Sequence, residues 1–321
     1  MKVDAELGLR RVILENSDVR VQVLPEVGSK IISLMYVPGG HEFIFPPPEP
    51  EKGYQVPGYG TQFKDFDNSG FDECIPTVGA CRYPGKAFQV DLPDHGEVWS
   101  VPWEWDAAGE ALELRRAGTR LPFIFYKTLR LDGPVLRTSY KVENTSPEEI
   151  IYIWSSHPLL GIRPGDRVMV PPEVREVFID QSHTGRLGGW GDRCSWPVAT
   201  DKDGRRVDLS VMQPPSANVA EKYFTPRLSQ GWCALDSPAG GHSMTFRFDP
   251  RLVPFVGMWI NQGGWPVHSQ HKHYCIALEP CNGAPDSLEH AVAMKQANML
   301  GPKQSASWDV EIELRQGPPQ V

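Results

Sequence analysis

Five stretches of this 321-residue chain carry side chains able to move protons or hold a ligand. His95 lies in "LPDHGEVWS", His157 in "IWSSHPLLG", and His268, His271 and His273 in "HSQHKHY". Asp72 and Glu73 adjoin in "GFDECIPT", and Glu279 follows the apolar run "YCIAL" and precedes a proline. Imidazole, with a pKa of about 6.5, donates and recovers a proton at neutral pH. A carboxylate whose pKa is raised by partial burial takes a proton from a hydroxyl and returns it. Two carboxylates flanking a glycosidic bond would instead suit hydrolysis, and an H-x-H pair would suit a metal.

Strand parity sorts these candidates. Adjacent residues of an extended segment point to opposite sides, so at most one of Asp72 and Glu73 faces a given ligand, as a hydrogen-bond acceptor lining a cleft. In "HSQHKHYCIALE" period two puts His271, His273, Cys275, Ala277 and Glu279 on one face and Tyr274, Ile276 and Leu278 on the other. Six residues of strand hold His273 about 20 Å from Glu279 at roughly 3.4 Å per residue, too far to share one ion, and no metal is expected. If Ile276 and Leu278 pack between sheets, Glu279 points away from that core. Pro280 then closes the strand and holds the carboxylate still. His157 is expected at a strand end after "IIYIW", made extended by Pro158. His95 sits in an Asp-His-Gly turn near Trp99, an indole suited to stacking on sugar C–H surfaces.

The elements that must position these groups are strands. "VRVQVLP" and "KIISLMYV" predict an N-terminal hairpin around Gly28, and "LPFIFYKTLRL" and "VLRTSYKVEN" a longer one around Asp132-Gly133-Pro134. "EEIIYIW" and "VGMWIN" read as buried strands, and Asn261 and Gln262 end the second of these. In "SWDVEIEL" Trp308, Val310, Ile312 and Leu314 alternate with Asp309, Glu311 and Glu313. One helix is predicted in "DSLEHAVAMKQAN", capped by Asp286 with Glu289 completing a capping box. The segments 46 to 70 and 180 to 205 read as irregular loops that wall a cleft.

Thirty glycines and 31 prolines break helical runs and favour many strands joined by turns, so the class is all-β, a large antiparallel sandwich with few short helices. The net charge of −8 excludes the electrostatic footprint of a nucleic-acid or anionic-membrane partner and leaves a neutral small molecule or a protein. The N-terminus shows no signal-peptide core or membrane span, so a cytoplasmic location is expected. Six scattered cysteines with no C-x-x-C pair read as reduced thiols. No linker or repeat divides residues 1 to 321, which are expected to form a single domain.

"LPDHGEVWSVPW", "WSSHPLLG", "FVGMWINQGGWP" and "ALEPCNGAPDSL" resemble, in the same order, signature segments of the aldose 1-epimerase (galactose mutarotase) superfamily. The opening "VQVLPEVGSKIISLMY" resembles that family's first hairpin, and the similarity runs from about Val19 to Leu314. The resemblance implies a β-supersandwich with its site on a concave face, no cofactor, and a monosaccharide whose α and β anomers interconvert. It implies His157 as the acid on the ring oxygen, Glu279 as the base on the anomeric hydroxyl, and His95 beside the ring oxygen. Asp72, Trp99, Asn261 and Gln262 are expected to bind the sugar. The phosphate-binding hexose-6-phosphate epimerases usually carry an arginine soon after the His-Gly turn, where "HGEVWS" offers Glu97 and Trp99. Lys64 or Arg82 would have to supply that charge. The alternative on the same fold is a sugar-binding or sugar-sensing protein without turnover.

Overall fold

The computed structural model describes every residue except Leu7. Among the described residues two large sheets, of twelve and eight strands, dominate. The larger sheet has at its centre, in spatial order, Phe71–Cys74, Ser155–Gly161, Tyr274–Cys281, Phe255–Gln262, Val219–Phe224 and Glu176–Ser182. The smaller sheet is built around Ser305–Gln316, flanked by Val135–Asn144 and His242–Phe248. Neighbouring strands in both run antiparallel. The main apolar cluster extends from Val12 to Leu314 and takes residues from both sheets. The all-β class and the antiparallel sandwich expected from the alternation are what the chain forms.

Particular elements follow their sequence signals closely. Trp308, Val310, Ile312 and Leu314 are buried in that cluster while Asp309 faces water, which is the pleat of a strand with one dry face. Phe123–Asp132 pairs with Val135–Asn144 across the two-residue Gly133-Pro134 connection. Val19–Leu24 pairs with Lys30–Tyr36. The turn between these two passes through Gly28 at φ 63°, and a Cβ there would lie 1.9 Å from the Trp99 carbonyl oxygen. Only glycine satisfies both the left-handed backbone and that approach.

Four local expectations are corrected. The helix spans Leu288–Ala293 with Ser287, not Asp286, at its N-cap, and no side chain of its own caps it. The Leu288 N–H donates instead to the Thr77 hydroxyl at 3.1 Å, so a distant segment supplies the cap and the Asp286 carboxylate is released for other work. His157 lies inside Ser155–Gly161, opposite Asp72 in the neighbouring strand, and is not at a strand end. The Glu279 strand does not stop at Pro280 but runs to Cys281, with Pro280 opposite Val256. Both backbone groups of Val256 face Thr225 on the other side, so the missing Pro280 N–H leaves no rung unmade there.

The fourth correction concerns 180 to 205, which is only partly irregular: it includes the end of Glu176–Ser182 and the strands Arg193–Ser195 and Val198–Thr200. The segment 46 to 70 has no strand and two single 3₁₀ turns, Pro50–Lys52 and Phe63–Asp65. Among the described residues no helix is long and apolar enough to cross a membrane. Gly28→Ala should lower the free energy of unfolding by about 2–4 kcal/mol, from the left-handed backbone and the clash together. A denaturant midpoint unchanged from the parent would show that the hairpin and the Trp99 segment part without cost.

Candidate active site

Parity carries the sheet's functional side chains to one face. Ile276 and Leu278 join the main core, whereas Cys275 and Ala277 pack with Phe63, Trp99 and Leu159 in a separate cluster on the opposite face. Glu279 belongs to this second face. Across the sheet, Trp259 stands opposite both Ala277 and Lys222, and Gly257 stands opposite Glu279. The missing side chain at Gly257 is what lets Lys222 cross to Glu279, because a Cβ there would sit 3.0 Å from Glu279 Oε2. The Lys222 ammonium donates directly to that oxygen and lies 3.4 Å from Asp286 Oδ1.

A cavity of about 480 Å³ opens above these strands, and its wall includes His95, His157, Lys222, Asp180, Asp286 and Trp190. His95 arrives from a loop. Its backbone is left-handed at φ 58°, its N–H donates to Val78 O, and its ring lies flat on Phe63 at 4.2 Å between centroids. Asp94 Oδ1 lies 3.0 Å from His95 Nδ1, which orients the ring and leaves Nε2 for a ligand. The other Asp94 oxygen accepts the Phe63 N–H at 2.8 Å, so one carboxylate ties the loop 46 to 70 to the His95 turn. His157 meets His95 edge to face at 4.9 Å, and its Nε2 lies 3.8 Å from Glu279 Oε1. Neither His157 Nδ1 nor Glu279 Oε1 has a hydrogen-bond partner in the protein.

Burial sets the electrostatics. It pushes His157 well below the ordinary imidazole range, helped by the nearby His95, Lys222 and Lys30, so the ring is neutral in the empty cavity. Burial pushes Glu279 up; Lys222 opposes this and Asp286 adds to it, and the carboxyl stays above its ordinary value. Asp180 is pushed up to about 7 by burial and by Asp286, against the pull of Lys222. Burial works against the Lys222 charge, but Asp286 and Glu279 outweigh it and hold the ammonium firmly protonated. One cation thus serves three carboxylates.

The sequence-derived candidates divide sharply. His95, His157 and Glu279 converge, with His95 and His157 in the cavity wall and Glu279 beneath it, without exposed surface. Asp72, Trp99, Asn261 and Gln262 are not in that wall. Asp72 is buried in an ion pair with Lys30 at 2.6 Å, and Lys30 also holds Asp67 at 3.0 Å. Trp99 is buried as a brace, its Nε1–H donating to Asp94 O. Asn261 closes a turn with Trp265, and Gln262 ends its strand against Met212. Glu73 points the other way, into a buried contact with Lys127, as alternation required.

Lys222, Asp180, Asp286 and Trp190 are the groups that sequence reasoning missed. Lys222 was legible by parity: in "NVAEKYF" it shares a face with Ala220 and Phe224 inside a strand with no exposed residue.

Comparison with known structures places this architecture. A galactose mutarotase related enzyme from Lactobacillus acidophilus is 17% identical with a TM-score of 0.68, over 97% of this chain and 99% of its own. A protein of Escherichia coli K12 proposed to be an aldose 1-epimerase is 15% identical with a TM-score of 0.70, over 96% and 100%. A galactose mutarotase-like protein from Clostridium acetobutylicum is 12% identical with a TM-score of 0.68, over 98% of each chain. The chain has the galactose mutarotase-like fold. No protein-family model matches the sequence, and no curated protein matches it.

On this galactose mutarotase-like frame the histidines of "HSQHKHY" lie outside the regular strand, which begins at Tyr274. His273 packs edge to face on Trp265, and burial takes its pKa down to about 4. Among the described residues no three His, Cys, Asp or Glu side chains gather as a set able to hold a metal ion. Removing the Lys222 charge by Lys222→Met should cost about 3–5 kcal/mol near neutral pH, because Glu279 is left buried without its partner. Adding Glu279→Gln should recover most of that loss. Lowering the pH should also relieve the single variant: a carboxyl whose folded pKa is raised stabilises the fold below its unfolded pKa and loses that contribution as pH rises. Equal losses in the single and double variants, by denaturation at two pH values, would mean that the pair is not coupled.

Proposed function

We propose that this chain binds an aldose in the cavity and interconverts its α and β anomers by acid–base ring opening. The convergence of two imidazoles in the cavity wall and one carboxylate beneath it, from three distant segments, carries this reading. The fold shared with mutarotase-related proteins supports it, and the whole chain acts as one domain. Anomer exchange needs a proton removed from the C1 hydroxyl and one placed on the ring oxygen, so that the ring opens to an aldehyde, turns about C1–C2 and closes on its other face. No water is added and the proton count is unchanged. Glu279 takes the hydroxyl proton, His157 protonates the ring oxygen, and His95, oriented by Asp94, steadies that oxygen.

In this scheme Lys222 has a gating role. It covers Glu279 in the empty site and swings to Asp286, already 3.4 Å away, when a sugar hydroxyl takes its place. Its firm protonation also matters to the open-chain intermediate, since an ammonium has no lone pair with which to form an imine. The full burial of Glu279 gives the second reading, a sugar-binding protein without turnover, its one specific support.

Polarimetry and exchange NMR with free aldoses separate the two. Glu279→Gln should reduce the accelerated rate by about 10²-fold or more while calorimetric sugar binding persists. Binding without acceleration by the parent protein would favour the second reading. The pH profile tests the proton roles. A base needs its proton off, so activity falls as pH drops through the Glu279 pKa. An acid needs its proton on, so activity falls as pH rises through the His157 pKa, which lies below its ordinary value of about 6.5. The profile of kcat/KM should therefore be a bell with its maximum on the acid side of neutrality. A rate level up to pH 8 would remove His157 as the acid.

A further inference from the structure

Five neighbouring strands carry, in spatial order, His157, Glu279, Gly257, Lys222 and Asp180. An aldose ring runs in a matching order, from its ring oxygen through C1 to C2. With the ring oxygen at His157 and the C1 hydroxyl at Glu279, the C2 substituent lies on the Lys222 side. Asp286 reaches that side from the segment after the Glu279 strand, 3.4 Å from the Lys222 ammonium.

Asp180 is aimed at the cavity by an irregularity in its strand. Ile179 pairs with Tyr223 and Gln181 with Lys222, so Asp180 is the extra residue of a bulge, and both it and Gln181 line the cavity. Val177 and Ile179 stay in the main core. Lys222 sends its ammonium across Gly257 to Glu279, and among the described residues Asp180 forms no ion pair. Asp286 Oδ1 is buried without a hydrogen-bond partner in the protein, and so is Oε1 of Glu279, a residue with no exposed surface.

The other charges around the cavity do not fill this deficit. Lys64 is paired with Asp65 at 2.7 Å, the buried Lys30 is shared by Asp67 and Asp72, and Asp94 is engaged by His95. His157 and His273 are held neutral by burial, and His290 is exposed, its ring against Trp190. Three carboxylates, Asp180, Asp286 and Glu279, therefore face the single ammonium of Lys222. Trp190, 53% exposed in the same wall, offers an aromatic ring that also attracts a cation. Once Glu279 has taken the hydroxyl proton, Lys222 and one incoming ammonium would match Asp286 and Asp180 one to one. A neutral sugar leaves the second aspartate to hold a proton instead, and an anionic sugar adds a like charge.

We infer that the aldose taken by this cavity is an amino sugar in its ammonium form, with the charged nitrogen on C2 and facing Asp180 and Asp286. The inference rests on the proposed anomerisation for the orientation of the ring.

The test compares glucose, glucosamine, N-acetylglucosamine and glucuronate by exchange NMR at pH 6, each against its rate without protein. Glucosamine should exceed glucose in kcat/KM by about ten-fold or more, while N-acetylglucosamine, which keeps the nitrogen without the charge, and glucuronate should not exceed glucose. Asp180→Asn should bring the ratio of glucosamine to glucose back towards one. Glucose or glucuronate as the better substrate, N-acetylglucosamine equal to glucosamine, or a ratio untouched by Asp180→Asn would overturn the inference and leave the anomerisation standing. The comparison in the parent protein needs no variant to fold. If no sugar is accelerated, the anomerisation fails on its own account, and calorimetry with the same sugars decides the charge preference. Glucosamine bound about ten-fold tighter than glucose upholds it, and equal or weaker binding overturns it.

Discussion

Glu279 has no exposed surface, and a carboxylate in that position must be neutralised by a proton or matched by a cation. Much of the site follows from the match with Lys222. The lysine can cross the sheet only because residue 257 is glycine, and it bridges to Asp286 only because that side chain does not cap the helix that follows. The cap comes from Thr77, whose hydroxyl accepts the Leu288 N–H while Val78 and Gly79 donate to the Asp286 carbonyl. A helix start, a bare position in a strand and a threonine 211 residues away in sequence are thus parts of one electrostatic arrangement. The same device recurs at the other wall. Lys30 gathers Asp72, Asp67 and the Ser69 carbonyl, which fixes the end of the loop that lays Phe63 against His95.

These pairings spread the titration behaviour of neighbouring groups in opposite directions. Burial lowers His157 and raises Glu279 and Asp180, while Lys222 is raised because its carboxylates outweigh the same burial. The two groups proposed as acid and base are thereby moved toward each other, His157 downward and Glu279 upward. Firm protonation likewise withholds the lone pair of Lys222 from addition to a carbonyl.

The architecture was legible because alternation is a short-range signal. Trp308 to Leu314, the hairpin through Gly133 and the facing of Glu279 against Ile276 and Leu278 each needed only period two and turn chemistry. What failed required knowledge of partners distant in sequence. Asp286 fits the capping-box pattern, and only the proximity of Thr77 and Lys222 reassigns it. Asp72 has the residue type of a sugar ligand, and only Lys30 shows its charge to be already spent. Trp99 is buried by Phe63, Leu159 and Ala277, distant segments whose approach no local pattern encodes, whereas Asn261 is taken up by the turn to Trp265 four residues on. Lys222 was the recoverable omission, because parity alone places it beside Ala220 and Phe224 on a dry face.

A sheet face lined with fully matched charges is stable, and for the same reason it is chemically quiet. Glu279 bonded through Oε2 to Lys222 is a weakened base, because the adjacent ammonium favours the charged carboxylate over its protonated form. The proposed activity would therefore depend on how readily the cation changes partner, and the acceptor would have to be built in beforehand. Asp286 at 3.4 Å, with Asp180 in the same cavity wall, provides that second seat. In the proposed scheme the exchange leaves the total charge of the cavity unaltered and keeps the cation within reach of Glu279, while the sugar hydroxyl takes the ammonium's place at the carboxylate. Asp286 and Asp180, which look like an excess of negative charge in the empty cavity, are in this scheme what would free Glu279.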